Sequence, residues 1–229
     1  MLPLSLLLLL AASDVVFEQT TFVQAPQHAA GAGVKSRVYY GARRIRLEAG
    51  AEGGPALVLR LDDERAFRID PAQKLALEVD VSRLRAEAQQ DTAMAGELMG
   101  AHNARPRTTP LPKPLVVAGY TCQGYRITAG PTVLDVYLTE ALPVGMERFT
   151  EFLDWTGAAT SLGPILEALR ALPGFPLEMR SRVMVLGEPQ ETRTSVTRVT
   201  LGTLAAQLFE VPAGFRVVRE NEPPKEDLP

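Results

Sequence analysis

Alternation of apolar and polar residues between Asp14 and Asp80 restricts the fold more than any other feature of the chain. In ALVLRL and RAFRID, which flank an acidic turn at 62–64, apolar residues recur at every second position. This is the period of a β-strand that packs one face on a core, and short turns join antiparallel neighbours. The pattern predicts an antiparallel meander with one packed and one solvated face. The residues predicted to share the packed face are Leu57, Leu59, Leu61, Phe67 and Ile69.

The same period returns in the second half of the chain. LVVAGY, YRIT and TVLDVYLT alternate around a turn at 129–131, and PLEMRSRVMVLGE and TRTSVTRVTLG predict a long hairpin near Gly187. LFEVPAGF predicts a short closing strand before a polar, proline-rich tail. The four prolines between Pro106 and Pro114 exclude a helix or a central strand. This segment is therefore expected to be an exposed connection.

Two segments have the period of a helix rather than that of a strand. SRLRAEAQQDTAMAGELMG, which begins at Ser82, contains strong helix formers and a serine suited to an N-cap. A second helical region spans 146–172 and carries Phe149, Phe152 and Trp155 at helical spacing. Because the apolar face of each helix must pack against another element, the predicted fold class is α+β. Its architecture is a curved antiparallel β-sheet (half-barrel) wrapped over helices.

The N-terminus resembles an export signal. MLPLSLLLLLAASD contains an apolar run that is too short to span a bilayer and ends in small residues. We expect a signal peptide at 1–13, cleaved near Ser13–Asp14, and an exported, periplasmic protein, although no positive charge precedes the run. A buried N-terminal helix is the alternative interpretation. The expected organisation is a single domain at 14–218 and a disordered tail at 219–229.

Composition narrows the possible partners. The formal net charge of −3 argues against nucleic acid or an anionic membrane as a partner. The single cysteine allows no internal disulfide, so that an exported fold must depend on its hydrophobic core. With 46% hydrophobic residues, the chain can form one sizeable core. We expect a monomer that is not an integral membrane protein.

The sequence contains no recognisable catalytic or metal-binding pattern. Its histidines, His28 and His102, are far apart, and no G-x-S-x-G nucleophile motif occurs. We therefore predict no catalytic, metal or cofactor site, and a protein that is not an enzyme. Cys122 is expected to be a buried packing residue, because no histidine accompanies it locally and free cysteines are commonly buried. A bulge at Gly124 is expected to turn Cys122 toward the face of Tyr125.

Three short motifs resemble those of a known family. AGYTCQGYRIT, VLDVYLTEALP and SVTRVTLGTLAAQLFEVPAGF, in this order and spacing, resemble an uncharacterised bacterial family, the domain of unknown function 4412. The resemblance covers 34–218, with Tyr137 where relatives often have tryptophan. That family is similar to the lipoprotein-carrier-like (LolA/LolB-like) superfamily, whose members bind acyl chains. The resemblance implies a LolA-like half-barrel with an apolar cavity on its concave face, partly closed by helices.

Two functions are open at this point. The first is a lipid- or lipoprotein-binding carrier or sensor, in which the segment from Phe149 to Trp155 gates a cavity for an acyl chain. The second is a cell-envelope module that binds a protein partner and no lipid, with the same segment as ordinary core. The residues expected to line an apolar cavity are Phe67, Ile69, Leu77, Tyr125, Ile127, Leu134, Val136, Phe149, Phe152 and Trp155.

Overall fold

The computed structural model describes residues 14–24, 31–50, 52–82, 105–156, 158–185 and 188–220. The strands in this part of the chain are β1 (Asp14–Gln24), β2 (Val34–Tyr40), β3 (Arg44–Ala49), β4 (Ala56–Arg60), β5 (Arg65–Asp70), β6 (Leu75–Val79), β7 (Arg107–Pro110), β8 (Leu115–Val117), β9 (Tyr120–Ala129), β10 (Thr132–Thr139), β11 (Phe175–Val185), β12 (Glu188–Gly202) and β13 (Arg216–Arg219). They form one sheet in the order β13-β6-β5-β4-β3-β2-β1-β12-β11-β10-β9-β7, with β8 paired to β9.

The helical region predicted at 146–172 is confirmed, as three short helices. They are α1 (Met146–Thr156), α2 (Ala158–Leu162) and α3 (Pro164–Arg170). Gly163, with φ of 48°, separates α2 from α3, and Pro164 occupies the first turn of α3, where its missing N–H costs nothing. The helix predicted from Ser82 lies almost wholly outside the described residues.

The predicted antiparallel sheet is confirmed, but the balance implied by an α+β class is wrong, because the described residues are mostly strand. The single parallel pairing among the described strands joins β13 to β6. Strand β1 lies between β2 and β12 and so joins the N-terminal meander to the C-terminal strands. Register shifts occur at Glu18/Gln19 and at Tyr137/Leu138. Such bulges bend a strand and increase its twist.

The helices lie on one face of this sheet, which we call the inner face. Cross-strand pairing places Val15, Tyr40, Ile45 and Leu59 side by side on it, and each is almost completely buried. Helix α1 contacts β11, and the Arg148 guanidinium donates a hydrogen bond to the carbonyl oxygen of Gly41 in the β2–β3 turn (2.9 Å). Helix α1 therefore spans the inner face from β11 to the N-terminal meander.

The opposite, outer face of β3 to β6 is also covered, and the prediction that it is solvated is wrong. Segment 204–215 packs on it, with Phe209 buried against Val58. Phe67 pairs with Val58, whereas Leu57 pairs with Arg68, so Phe67 and Ile69 face outward and do not share a face with Leu57. Both faces of β4 and β5 are apolar, and alternation therefore does not identify which residues face the helices.

The chain after residue 203 also differs from its prediction. LFEVPAGF does not form a strand: its first two residues end a 3-10 helix at Ala206–Phe209, and the closing strand is the following β13. Of the tail predicted at 219–229, Arg219 belongs to β13, and 221–229 lie outside the described residues. In the proline-rich connection, β7 pairs with β9 at the edge of the sheet, and all its residues are exposed.

Candidate functional site

A cavity of about 200 Å³ lies between the inner face and α1. Aromatic rings form much of its wall. Phe175 stacks on Phe17 with ring centroids 4.5 Å apart, and Tyr40 and Phe149 meet the Phe175 ring edge-on at 5.4 and 5.9 Å. The lining residues are Phe17, Gln19, Val38, Tyr40, Phe149, Phe152, Leu153, Phe175, Pro176, Leu177, Glu178, Met179, Thr194 and Val196. The cavity is predominantly apolar, since only three of these side chains are strongly polar.

Local sequence explains why the rings meet. Phe149 and Phe152 are three residues apart on α1 and therefore project from the same side of the helix. Phe17 and Tyr40 come from neighbouring strands. Phe175 follows Gly174, whose φ of 86° suits glycine, and a Cβ at Gly174 would lie 2.5 Å from the Thr139 carbonyl oxygen. That close turn starts β11 at the position where Phe175 meets the other rings.

The charged group in the cavity wall is already paired. The Glu178 carboxylate accepts hydrogen bonds from Arg180 (2.6 Å), Ser195 (2.9 Å) and Arg193 (3.1 Å). Burial raises the pKa of Glu178, but the hydrogen bonds from Arg193, Ser195 and Arg180 outweigh it, and the pKa lies below its usual value. Burial raises the pKa of the Tyr40 hydroxyl, which stays protonated. Neither group is poised to exchange a proton near neutral pH.

A second recess, a groove of about 450 Å³, lies beside the cavity on the inner face of β3 to β6. Val38 of the cavity wall pairs with Leu47 of the groove, and Leu47 pairs with Leu57. The cavity and the groove are therefore adjacent across one pair of strands. The residues that line the groove are Leu47, Ala49, Pro55, Ala56, Leu57, Arg68, Ile69, Asp70, Leu75 and Leu77.

Three of the predicted cavity residues border these two recesses from the inner side. Phe149 and Phe152 line the cavity, and Leu77 lines the groove. Trp155, although it packs on the same core cluster, borders a separate and more polar recess of about 600 Å³ with Arg43 and Asp80. Helix α1 thus contributes to two different recesses.

The other predicted residues do not line the cavity. Tyr125, Ile127, Leu134 and Val136 lie on the inner face, but they pack solidly against α3 and Met146. Phe67 and Ile69 were assigned to the wrong side of the sheet, because both faces of β5 are buried; Ile69 borders the groove but packs with Phe67 in the outer cluster. The ten residues therefore do not form one site.

The predicted cavity residues did not include Phe17, Val38 or Phe175, which line the cavity. Phe17 follows two valines, which obscure the alternation of β1, and Phe175 begins a strand just after a proline-glycine turn. Val38 and Tyr40 fall on the positions opposite to Lys35 and Arg37, which is a usable signal for an inward face. The pairing of β1 with β12, about 180 residues apart in sequence, is what brings these side chains together.

Cys122 is fully buried, but not in the way its sequence predicts. Strands β9 and β10 pair without a register shift at Gly124, so the expected bulge is absent from this pair and Cys122 faces away from Tyr125. Gly124 instead allows a close approach, since a Cβ there would lie 2.8 Å from the Tyr137 ring and 3.0 Å from the Leu111 Cβ. Burial raises the pKa of the Cys122 thiol, which disfavours the reactive thiolate.

Two other features are absent from the residues that the structure describes. No group of three or more histidine, cysteine, aspartate or glutamate side chains converges there to hold a metal ion. Among the same residues, no helix combines the length and the apolar character needed to cross a membrane.

Comparison with solved structures gives matches at low identity and low TM-score. PNGF-II has a TM-score of 0.41 at 12% identity over 91% of this chain, which spans 31% of that protein. A domain described as outer membrane lipoprotein-sorting, from Vibrio parahaemolyticus, has a TM-score of 0.35 at 11% identity, with 86% and 89% of the two chains covered. A LolA superfamily protein from Nitrosomonas europaea has a TM-score of 0.36 at 9% identity, with 87% and 91% covered.

Comparison with sequence families is more decisive. No curated protein matches this chain. The model of the domain of unknown function DUF4412 matches residues 56–215, which is well over half of the chain and includes α1, β11 and β12 of the cavity wall but not β1 and β2. This chain therefore belongs to the DUF4412 family.

Proposed function

We propose that this chain is an exported, periplasmic and non-enzymatic protein that binds the acyl chain of a lipid or lipoprotein on its inner face. The observation that carries this proposal is the aromatic cavity beneath α1, with an apolar groove directly beside it. Among the described residues, helices cover the part of the inner face that holds Ile127 and Leu134, whereas Leu47 and Leu57 border the groove. An apolar surface of this kind favours an apolar ligand.

The dimensions and chemistry of the two recesses support a long, flexible ligand. The cavity alone, at about 200 Å³, is smaller than typical small-molecule sites of roughly 300–1,000 Å³, whereas the groove of about 450 Å³ lies within that range. Few polar groups are available to orient a compact polar ligand, since the Glu178 carboxylate is held by its own arginines. Transfer of apolar surface from water, at about 25 cal/mol per Å², supplies the binding energy.

Helix α1 is the element suited to admit the ligand. Its cavity-facing rings, Phe149 and Phe152, are half-buried, whereas Leu169 of α3 is fully buried in the neighbouring cluster. Lifting α1 would lengthen the cavity without disturbing a strand pairing. In this function α1 acts as a gate, and α3 anchors the helical layer to β9 and β10.

A direct test measures binding of palmitate to the purified chain, together with native mass spectrometry of protein extracted mildly from the periplasm. The variant Thr194→Trp places a large ring at the cavity wall, and palmitate affinity should fall about tenfold or more. Thr200→Trp is the matched control, because Thr200 is an exposed residue of the same strand that pairs with Val16. Its affinity should stay within twofold of the parent value.

The competing function is an envelope module that binds protein, and β7 favours it because this fully exposed strand forms an edge of the sheet. Native mass spectrometry of the extracted protein distinguishes the two functions. Co-purifying acyl-chain masses support the carrier. A clean apo mass, together with no measurable palmitate binding, overturns the carrier and favours the protein-binding module.

A further inference from the structure

We infer that Arg68 binds the anionic head group of the ligand, so that the protein selects long-chain carboxylates over neutral lipids of the same length. This inference rests on the proposed function, because it concerns the specificity of the same inner-face site. It is carried by the position of Arg68 in the groove and by the pairing of the surrounding charges.

Arg68 interrupts a continuous apolar row on the inner face. Successive cross-strand partners from β1 to β6 form this row, which we call the inner row: Phe17, Val38, Leu47, Leu57, Arg68 and Leu77. The first two residues line the cavity, and the last four line the groove. An apolar tail lying along the inner row from Phe17 would bring its other end to a guanidinium.

The length of the inner row suits a long-chain amphiphile. Four strand spacings separate Phe17 on β1 from Arg68 on β5, and at roughly 4.8 Å per spacing this is about 19 Å along the surface. A short-chain acid with its head at Arg68 would not reach the rings of the cavity. A long-chain acid would bury its tail over Leu57 and Leu47 before entering beneath α1.

Arg68 differs from the other arginines of the meander, because its guanidinium has no partner among the described residues. The other arginines of this part of the meander each donate a hydrogen bond: Arg43 to the Leu61 carbonyl, Arg44 to Asp62, Arg46 to Glu48, Arg60 to Glu210 and Arg65 to Glu78. Arg68 is exposed and makes no hydrogen bond or ion pair to any residue that the structure describes. Its guanidinium is thus available to an external anion.

The carboxylate nearest in sequence on the same face does not take this role. Asp70 also lines the groove, but its Oδ1 accepts hydrogen bonds from the backbone N–H groups of Ala72 (2.9 Å) and Gln73 (3.2 Å). Asp70 is therefore engaged in closing the β5–β6 turn. A ligand carboxylate suits Arg68 because the guanidinium presents parallel N–H donors that match the two carboxylate oxygens.

The test compares palmitate with hexadecanol, which has the same tail and no charge, on the parent chain, Arg68→Gln and Arg198→Gln. Arg68→Gln should weaken palmitate binding about tenfold, the loss expected for one partly exposed charge-assisted contact, and leave hexadecanol binding unchanged. Arg198→Gln is the matched control, because Arg198 is an exposed arginine whose strand partner, Glu18, lies beside it on the outer face. It should change neither affinity.

The outcomes separate this inference from the proposed function. If the parent chain binds both ligands and Arg68→Gln weakens neither, or weakens both equally, the head-group role of Arg68 is overturned and the acyl-chain function stands. If the parent chain binds neither ligand, the proposed function fails and the inference fails with it. A selective loss of palmitate that Arg68→Lys partly restores supports the inference.

Discussion

The two faces of strands β3 to β5 are closed in different ways, although they belong to the same short stretch of chain. On the outer face, Phe209 packs over Val58 and Phe67, and beside it the Arg46–Glu48 pair is buried, with a nitrogen–oxygen distance of 2.8 Å. On the inner face, Leu47 and Leu57 border an open groove. Within the described residues, one face is therefore sealed by contacts within the chain, and the other retains the apolar groove that the proposed function assigns to a ligand.

This difference separates stability from binding within single strands. The Tyr39 hydroxyl donates a hydrogen bond to Glu48 (3.0 Å), and Arg46 also reaches the Leu208 carbonyl oxygen (3.0 Å). The bond to Leu208 ties the C-terminal segment to the meander from outside, and the Tyr39–Glu48 bond joins β2 to β3 beneath that segment. Changes on the outer face should therefore alter the free energy of unfolding, whereas changes at the groove residues Leu47 and Leu57 should mainly alter the ligand affinity that the proposed function predicts.

The largest expected effect comes from the buried outer-face pair. Glu48→Gln leaves the Arg46 guanidinium buried without its counter-charge, and the free energy of unfolding should fall by about 3 kcal/mol in urea denaturation. Glu52→Gln is the matched control, since Glu52 pairs with Arg37 at the surface and should cost less than about 1 kcal/mol. Equal losses in the two variants, or a weakened palmitate affinity in Glu48→Gln, would remove the distinction between the faces.

The difference between the faces also shows how far the sequence determines the fold. Alternation identified the β4–β5 and β9–β10 hairpins, and helical spacing identified Phe149 and Phe152, because these patterns depend on neighbouring residues. Alternation could not show which face of the sheet Phe67 occupies, since both sides of its strand are buried. The parallel partner of β13 lies about 140 residues earlier in the chain, and no local signal specifies such a pairing.

The cavity was only partly predictable for the same reason. Its α1 side follows from a local helical pattern, whereas Phe17 and Phe175 come from strands far apart in sequence. Their stacking depends on the pairings of β1 with β12 and of β12 with β11. Likewise, Gly124 is explained by the Tyr137 ring and Leu111 packing against it, which requires the three-dimensional arrangement.

A smaller effect is expected from acid. Hydrogen bonds from Arg193, Ser195 and Arg180 outweigh burial and hold the pKa of Glu178 below its usual value of 4.5. A carboxyl whose pKa is lower in the folded than in the unfolded chain contributes stability above its unfolded pKa, and this contribution is lost as the pH falls through the folded pKa. The free energy of unfolding should therefore decrease as the pH falls below about 4.5.

Glu178→Gln sharpens this prediction, because it removes the group that titrates. The variant should be less stable than the parent at neutral pH and should show a shallower loss of stability below pH 4.5. Urea denaturation at a series of pH values measures both slopes. Identical slopes would show that Glu178 does not contribute to the acid response.

The smallest expected effect lies in the β8–β9 turn beside Cys122, where Val117 pairs with Tyr120 across two residues of positive φ, Ala118 at 49° and Gly119 at 86°. A turn of this kind favours glycine or asparagine at its first central position, because a side chain disfavours positive φ. Ala118→Gly should therefore relieve strain and raise the free energy of unfolding by about 0.5 kcal/mol. Ala205→Gly is the control, since Ala205 has an ordinary φ of −67° and gains no relief. Palmitate affinity should not change in either variant, because both lie away from the inner-face recesses, and a stability loss in Ala118→Gly would contradict the strain argument.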